Sequence, residues 1–302
     1  MKKWLKTALI VVGGLVLVLF IGLAWYTRGE AHKMVIHPME TREMPGETPA
    51  DYGLPFEEVA VTTADGLQLV GWYIAGENGA AVIAQHGYKG TRANLLYTAQ
   101  VLHEHGYGVL LSTFRTHDAS EGERITLGKE EMQDFDAWYQ FLLEREDVDP
   151  ARIAIFGESY GGTLATKYAT QNPEIRALIL HSALATFTDS VDKVVYHYTG
   201  LPPFPFSPMM MFWAGQEIDL DVSTVDATVW IRDVHCPVFV LQGGQDDHIS
   251  IDSGQKLYDA ANEPKEYWFE PGAAHHGLDE NPYKEEFEER VIAFYDQHLL
   301  AE

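Results

Sequence analysis

The pattern of hydrophobic and polar positions changes three times along the chain. Residues 7–26 form an uncharged apolar stretch, which as a helix is long enough to cross roughly 30 Å of hydrocarbon. After residue 56, two β-rich runs flank Asp65-Gly66, a pair typical of hairpin turns. From residue 80 onward, short apolar runs alternate with amphipathic segments. This alternation predicts an α/β fold with a mostly parallel, twisted sheet of about eight strands and helices on both faces.

The same pattern divides the chain into segments. We interpret residues 1–28 as an N-terminal membrane anchor and residues 29–55, rich in Pro, Gly, Glu and Thr, as a linker or N-terminal arm. Residues 56–302 then form the globular domain. Within it, residues 184–235 interrupt the alternation and predict a small cap insertion, because long insertions in compact folds are usually functional.

The cap insertion is rich in aromatic and methionine side chains. Either these side chains pack the insertion onto the core, or they form an apolar rim around a substrate. The candidate rim residues are Phe204, Phe206, Phe212 and Trp213.

The charges around the apolar stretch predict its orientation. Lysines at positions 2, 3 and 6 precede the stretch, which favours a cytoplasmic N-terminus and an extracytoplasmic domain in a single-pass protein of the cell membrane. The alternative is a cleaved signal peptide and secretion. The apolar run exceeds the usual signal-peptide length, so we favour an uncleaved transmembrane helix.

Composition narrows the possible partners. The formal net charge is -24, which argues against nucleic-acid binding because that function needs a positive surface. The single cysteine excludes an intrachain disulfide. No spaced His/Glu motif of the H-E-x-x-H kind occurs in the sequence, so we expect neither a metal nor another cofactor.

The segment Gly157-Glu158-Ser159-Tyr160-Gly161-Gly162 carries the first sign of chemistry. It follows the strand-like run RIAIF and begins a helical segment, the context of a nucleophile elbow. The turn is so tight that Gly157 and Gly161 must lack side chains. Ser159 would project at a helix N-terminus, where developing negative charge is favoured. The alternative is a glycine-rich turn that binds phosphate or only packs.

A serine nucleophile needs a base, and the base needs an orienting carboxylate. In this architecture the chain order is serine, carboxylate, histidine. Two late loops offer candidates in that order, Asp246-Asp247 in GGQDD and His275-His276 in GAAHHG. The carboxyl ends of parallel strands share one sheet edge, so these loops should meet the elbow.

Two backbone N–H groups are expected to bind an oxyanion. One belongs to Tyr160, directly after the serine, and the other to Tyr88 in the loop after an early strand. Gly87 would let that loop approach closely.

Together these motifs resemble the α/β-hydrolase superfamily over roughly residues 57–300. The phrases TLGKEEMQDFDAW and VDPARIAIFGESYGG are similar to serine aminopeptidase-like and bacterial membrane-anchored hydrolases. The resemblance implies an α/β-hydrolase fold, a catalytic triad and no cofactor. Its loop spacing favours Asp246 over Asp247 and His275 over His276.

One loop departs from the family pattern. Where the family has R-G-H-G-x-S, this chain replaces both glycines with Thr116 and Asp118. We expect a changed turn or a reshaped pocket floor there, and a structural role for His117.

The motifs predict a serine hydrolase that cleaves carboxylic esters through an acyl-enzyme on Ser159, with small-molecule substrates. One alternative is a peptidase or amidase, with Glu217, Asp219 or Asp221 binding the free amine of a short peptide. A second alternative is a non-catalytic, membrane-tethered binding module.

Overall fold

The computed structural model describes residues 3–301, apart from the side chains of residues 194 and 198. Residues 1, 2 and 302, at the ends of the predicted anchor and globular segments, lie outside the described residues. The described chain forms one eight-stranded sheet of order β1-β2-β4-β3-β5-β6-β7-β8. The strands are β1 (Glu57–Thr62), β2 (Gln68–Ile74), β3 (Ala81–Gln85), β4 (Gly108–Ser112), β5 (Ile153–Glu158), β6 (Leu178–His181), β7 (Val238–Gly243) and β8 (Lys265–Glu270).

The sheet is antiparallel at one edge and parallel elsewhere. The predicted hairpin around Asp65-Gly66 is confirmed: β1 pairs antiparallel with β2, which in turn pairs antiparallel with β4. All other neighbouring strands are parallel. The parallel arrangement places the ends of β3, β5, β7 and β8 at one edge of the sheet.

Helices cover both faces of the sheet. In β3, Ala81 and Ile83 belong to one buried core, while Val82 and Ala84 belong to the core on the opposite face. Strands buried on both sides read as continuous apolar runs, which is why the alternation predicted this layered fold. The helices of the described residues are α1 (Lys3–Val35), α2 (Leu96–Glu104), α3 (Glu131–Leu143), α4 (Tyr160–Gln171), α5 (Phe187–Thr199), α6 (Pro203–Ile218), α7 (Ala227–Trp230), α8 (Ser253–Ala260) and α9 (Lys284–Tyr295), with a π-helical turn at Asp296–Leu300.

Helix α1 is long and apolar enough to cross a membrane. It does not end at residue 28, where the sequence interpretation ended the anchor, but continues to Val35. Its last turns bury Thr27, Ala31 and Val35, which lie four residues apart on one face of the helix. That face packs against the globular part, chiefly against α6, so the helix is held well beyond its apolar stretch.

The predicted cap insertion is helical. It contains α5, α6 and α7, and its ends are brought together by a β-bridge between Thr186 and Asp226. Phe187 and Ala214 of this insertion line the same cavity as Ser159 and His275.

Candidate active site

The turn from β5 to α4 holds Ser159 in a rare backbone conformation. Its φ and ψ are 51° and -121°, a strained combination for a residue with a side chain, of the kind found at functional sites. The neighbouring glycines explain how the turn fits. A Cβ on Gly157 would lie 2.5 Å from the Cα of Gly162, and one on Gly161 would lie 2.5 Å from two backbone oxygens. Both glycines are therefore required by close backbone approach.

The loops after β7 and β8 bring Asp246 and His275 together. His275 Nδ1 and Asp246 Oδ2 are 2.6 Å apart, and both side chains are buried. The other carboxylate oxygen accepts the backbone N–H groups of His248 and Ile249, each at 2.9 Å. Burial alone would raise the pKa of Asp246, but the hydrogen bond and charge of His275, with these backbone donors, outweigh burial and lower it. The carboxylate is thus held ionised against the imidazole.

Two residues that the sequence interpretation missed fix these loops. Ser182, just after β6, donates its hydroxyl to the backbone oxygen of His275 at 2.7 Å, and its own φ is 49°. Lys193 on α5 donates to the backbone oxygens of Asp246 and Ile249, at 3.2 and 2.6 Å. Neither residue belongs to a recognisable motif, because each contacts a distant part of the chain. Ser182 is 93 residues from His275, and Lys193 is 53 residues from Asp246.

The second member of each doubled pair has a different environment. The side chain of Asp247 is 71% exposed and lies 2.9 Å from His248 Nδ1. His276 Nδ1 lies 2.8 Å from Oε1 of the buried Glu158. Burial would raise the pKa of Glu158, but the hydrogen bond and charge of His276 lower it overall. His276 therefore pairs with a carboxylate of its own.

The loop after β3 approaches the serine closely. A Cβ on Gly87 would lie 3.2 Å from the Cβ of Ser159, so a larger residue would crowd the serine. The next residue, Tyr88, packs its ring edge-on against that of Tyr160, with 6.1 Å between the ring centroids. Tyr160 is the first residue of α4, where a backbone N–H has no acceptor within the helix. The two predicted oxyanion residues are therefore neighbours beside Ser159.

A cavity of about 160 Å³ lies beside Ser159. Ser159, His275, His276, Gly87, Tyr88 and Tyr160 contribute to its wall, and the rest of the lining is mainly apolar. The apolar lining residues include Met34, Val35, Leu127, Leu184, Phe187, Ala214 and Ile249.

The aromatic rim interpretation of the cap does not match this cavity. Among the described lining residues, α6 contributes Ala214, whereas the four predicted rim residues lie outside. Phe206 instead contacts Tyr26, Trp213 contacts Arg28, and Phe204 and Phe212 are exposed. The buried face of α6 carries Met210, Ala214 and Ile218, and of these Ala214 lines the cavity.

The loop in which Thr116 and Asp118 replace the two glycines of the family pattern keeps the backbone conformation that glycines would adopt. Thr116 and Asp118 both have positive φ, 66° and 50°. The Asp118 carboxylate forms an ion pair with Arg92 Nε at 3.0 Å and accepts the backbone N–H of Ala119 at 2.6 Å, contacts that favour the left-handed conformation at that residue. His117 is buried and accepts the backbone N–H of Lys89 through Nε2 at 3.0 Å. The expected structural role of His117 thus has a specific partner in the loop beside the cavity.

One group of side chains has the spacing of metal ligands. Ligand atoms of Asp246, His248 and His275 lie within 4.8 Å of one another. His275 Nδ1 and Asp246 Oδ2 already face each other at hydrogen-bond distance, so a metal between them would have to break that bond. The absence of a metal stays a prediction.

Known proteins resemble this chain in structure and in sequence. An esterase of Pyrococcus furiosus superposes with a TM-score of 0.73, covering 88% of this chain and 98% of its own at 24% identity. An uncharacterized protein of Mycobacterium tuberculosis is 34% identical over 221 residues, 72% of each chain. The α/β hydrolase domain-containing protein WAV2 of Arabidopsis thaliana is 25% identical over 221 residues, 70% of this chain and 68% of its own.

A sequence profile of the prolyl oligopeptidase family matches residues 97–302. This span includes the elbow, the cap and the loops that carry Asp246 and His275. The prediction of the α/β-hydrolase superfamily and fold is therefore confirmed. The chain belongs to the prolyl oligopeptidase family and is a hydrolase.

Proposed function

We propose that the protein is a serine hydrolase that cleaves carboxylic esters through an acyl-enzyme on Ser159. The observation that carries this proposal is the buried pair of Asp246 and His275, 2.6 Å apart, of which His275 lines the same cavity as Ser159. The strained backbone of Ser159 at the start of α4 supports its role as the nucleophile.

The proposed reaction has two halves. In the first, Ser159 Oγ attacks the acyl carbonyl while His275 Nε2 takes the hydroxyl proton, and Asp246 stabilises the imidazolium. The backbone N–H groups of Tyr88 and Tyr160 bind the oxyanion. His275 then gives the proton to the departing alcohol. In the second half, water attacks the acyl-enzyme with His275 again as the base, releasing the acid and free Ser159.

The cavity favours esters of apolar acyl groups over peptides. Its lining is mainly apolar, and its volume of about 160 Å³ resembles that of protein cavities that bind one benzene molecule. The carboxylates considered for binding a substrate amine lie outside the described cavity lining and have other partners. These are His32 for Glu217, Lys129 for Asp219 and Ser223 for Asp221.

A peptidase or amidase with the same triad is the second candidate, because the matching family is a peptidase family by its description. The comparison that separates the two uses p-nitrophenyl butyrate and aminoacyl p-nitroanilides. We expect faster turnover of the ester. Faster turnover of the anilides would favour the peptidase.

A fluorophosphonate probe tests the nucleophile. We expect covalent labelling of the wild type and of Ser223→Ala, which removes an exposed cap serine, but not of Ser159→Ala. Equal labelling of all three proteins would contradict the assignment of Ser159. Absence of labelling from all three would favour the non-catalytic binding module.

We also propose that α1 anchors the protein in the cell membrane, with the hydrolase domain outside. Its uncharged stretch from residue 7 to residue 26 spans about 30 Å at 1.5 Å per residue. The domain then comprises residues 56–302 with its cap at about 184–235, and the arm after Val35 joins it to the anchor. Protease added to intact cells should degrade the domain, and full protection would reverse the orientation. A mature N-terminus beyond residue 20 would identify a signal peptide instead.

A further inference from the structure

Three helices connect the level of Tyr26 with the cavity. Helix α1 passes from Tyr26 to Met34 and Val35 in the cavity wall. Helix α6 contacts Tyr26 through Phe206 and reaches the cavity at Ala214. Each of these paths covers eight residues, or about 12 Å along a helix. Helix α5 begins at the cavity with Phe187 and runs back to the start of α6.

The end of α1 is fastened to the loop that carries the proposed oxyanion donor. The Tyr88 hydroxyl donates to the backbone oxygen of Met34 at 2.6 Å, and Lys89 Nζ donates to that of Lys33 at 2.9 Å. These bonds satisfy carbonyl groups that a helix end leaves unpaired. The anchor helix is therefore a fixed wall of the cavity, so the cavity stands at a set height above the apolar stretch.

The connection between α5 and α6 carries exposed aromatic side chains and contacts Tyr26 at one end. We name residues 196–206 the cap corner. Within it, Tyr196 is 65% exposed and Phe204 is 81% exposed, while Phe206 lies against Tyr26 with 6.4 Å between ring centroids. Tyr26 is the last residue of the uncharged stretch, and Trp25 beside it is also exposed. Aromatic residues at such a boundary are typical of a membrane interface.

The cavity is too small for a long acyl chain. About 160 Å³ accommodates one benzene-sized group. A longer chain must continue out of the cavity, and the surrounding helix ends are those that lead to the cap corner. This volume matches one apolar group beside the reacting carbonyl, which favours a substrate with a single acyl chain.

We propose that the cavity receives its substrate from the bilayer surface, with the cap corner docked in the interface beside α1, and that the substrate is an ester with a single long acyl chain. This proposal rests on the proposed hydrolase function and on the anchoring of α1. The exposed aromatic residues of the corner continue the apolar surface of α1 and face the same interface. Met34 and Val35 contact the acyl group near the reacting carbonyl.

The test uses the full chain reconstituted in phosphatidylcholine vesicles that contain 1-monooleoylglycerol. The double variant Tyr196→Asp/Phe204→Asp places two charges in the cap corner. We expect it to hydrolyse the vesicle ester at least about tenfold more slowly than the wild type, because charged residues are unfavourable in the interface. Its turnover of soluble p-nitrophenyl butyrate should stay within about twofold, since neither side chain lines the described cavity wall.

Val229→Asp serves as the matched control. Val229 is 52% exposed on α7, which packs against α4 and α8, and the variant should match the wild type on both esters. Equal rates of the double variant and the wild type on the vesicle ester would overturn the proposal. So would an equal loss on both esters, or hydrolysis of p-nitrophenyl butyrate alone by the wild type.

Two further readouts separate failure of this proposal from failure of the proposed function. A wild type that hydrolyses neither ester and takes no fluorophosphonate label would contradict the hydrolase assignment itself. A wild type that does not float with the vesicles in a density gradient would contradict the anchor. A labelled, floating protein whose corner variant behaves as the wild type contradicts only the supply of substrate from the bilayer.

Discussion

Asp246 is expected to orient His275 through one particular carboxylate oxygen, and Asp246→Asn tests that role. Oδ1 accepts two backbone N–H groups at 2.9 Å, so asparagine should keep its oxygen at that position. Its Nδ2 group then takes the place of Oδ2, the oxygen that lies 2.6 Å from His275 Nδ1 in the wild type. A donor there favours the imidazole tautomer with its proton on Nε2, which cannot accept the proton of Ser159.

The expected loss of transition-state stabilisation is larger than the expected loss of folding stability. An orienting carboxylate replaced by its amide lowers kcat by about 10⁴-fold, equivalent to about 5.5 kcal/mol of transition-state stabilisation. Both backbone hydrogen bonds to Oδ1 survive, but the buried amide of Gln242, which donates to Oδ2 at 3.1 Å, would lose that acceptor, so we expect a loss of about 1–3 kcal/mol in stability. Asp246→Ala removes Oδ1 as well and should cost about 1–3 kcal/mol for each buried N–H left unpaired. Comparing the two variants separates orientation of His275 from support of the loop.

The assay is kcat for p-nitrophenyl butyrate together with thermal unfolding, and Asp247→Asn is the control. Its side chain is 71% exposed, so we expect its kcat to stay within about twofold, as for most surface substitutions. An unchanged kcat in Asp246→Asn together with a loss of activity in Asp247→Asn would assign the orienting role to the second aspartate. An unchanged kcat in both variants would refute the claim that a carboxylate orients His275.

Three further predictions concern the same edge of the sheet. His275→Ala should abolish turnover of p-nitrophenyl butyrate, whereas His276→Ala should retain at least about a tenth of it; the reverse order would exchange their roles. Gly161→Ala should fail to fold or unfold at a much lower Tm, because its Cβ would lie 2.5 Å from two backbone oxygens, whereas Gly46→Ala, with nothing within 4 Å, should match the wild type. Burial, followed by the charge of a neighbouring glutamate, raises the pKa of Asp279 from 3.8 to about 7, so its favourable contribution to stability is lost as pH rises through that range. Asp279→Asn should therefore raise the Tm more at pH 8 than at pH 5, and an equal change at both values would contradict the burial argument.

The parallel sheet was predictable because its signal is local. Each of β3 to β7 is buried along its whole length, and such strands read directly as short apolar runs. The elbow was predictable for a similar reason. Backbone atoms approach Gly157 and Gly161 so closely that the sequence must carry glycine at both positions. Order along the chain then pointed to the loops that contain Asp246 and His275.

Contacts between distant segments left no comparable signal. The hydroxyl of Ser182 reaches the backbone of a residue 93 positions away, and backbone acceptors do not depend on side-chain identity. The left-handed positions at Thr116 and Asp118 were hidden for the opposite reason. Such positions usually carry glycine, but both residues here have positive φ, and at Asp118 the ion pair with Arg92 favours that conformation.

Helix α1 shows how an interpretation from composition alone can miss part of a site. Charge and hydropathy change at the end of the uncharged stretch, so composition separates anchor from linker there. The backbone does not follow this change, since Ala31 and Val35 continue one buried face for two further turns. Because Met34 and Val35 also form part of the cavity wall, a fragment that begins after residue 35 would lose that wall as well as the proposed membrane anchor. The segment that composition assigns to a linker is thus part of the site, and only its packing against α6 and Tyr88 reveals it.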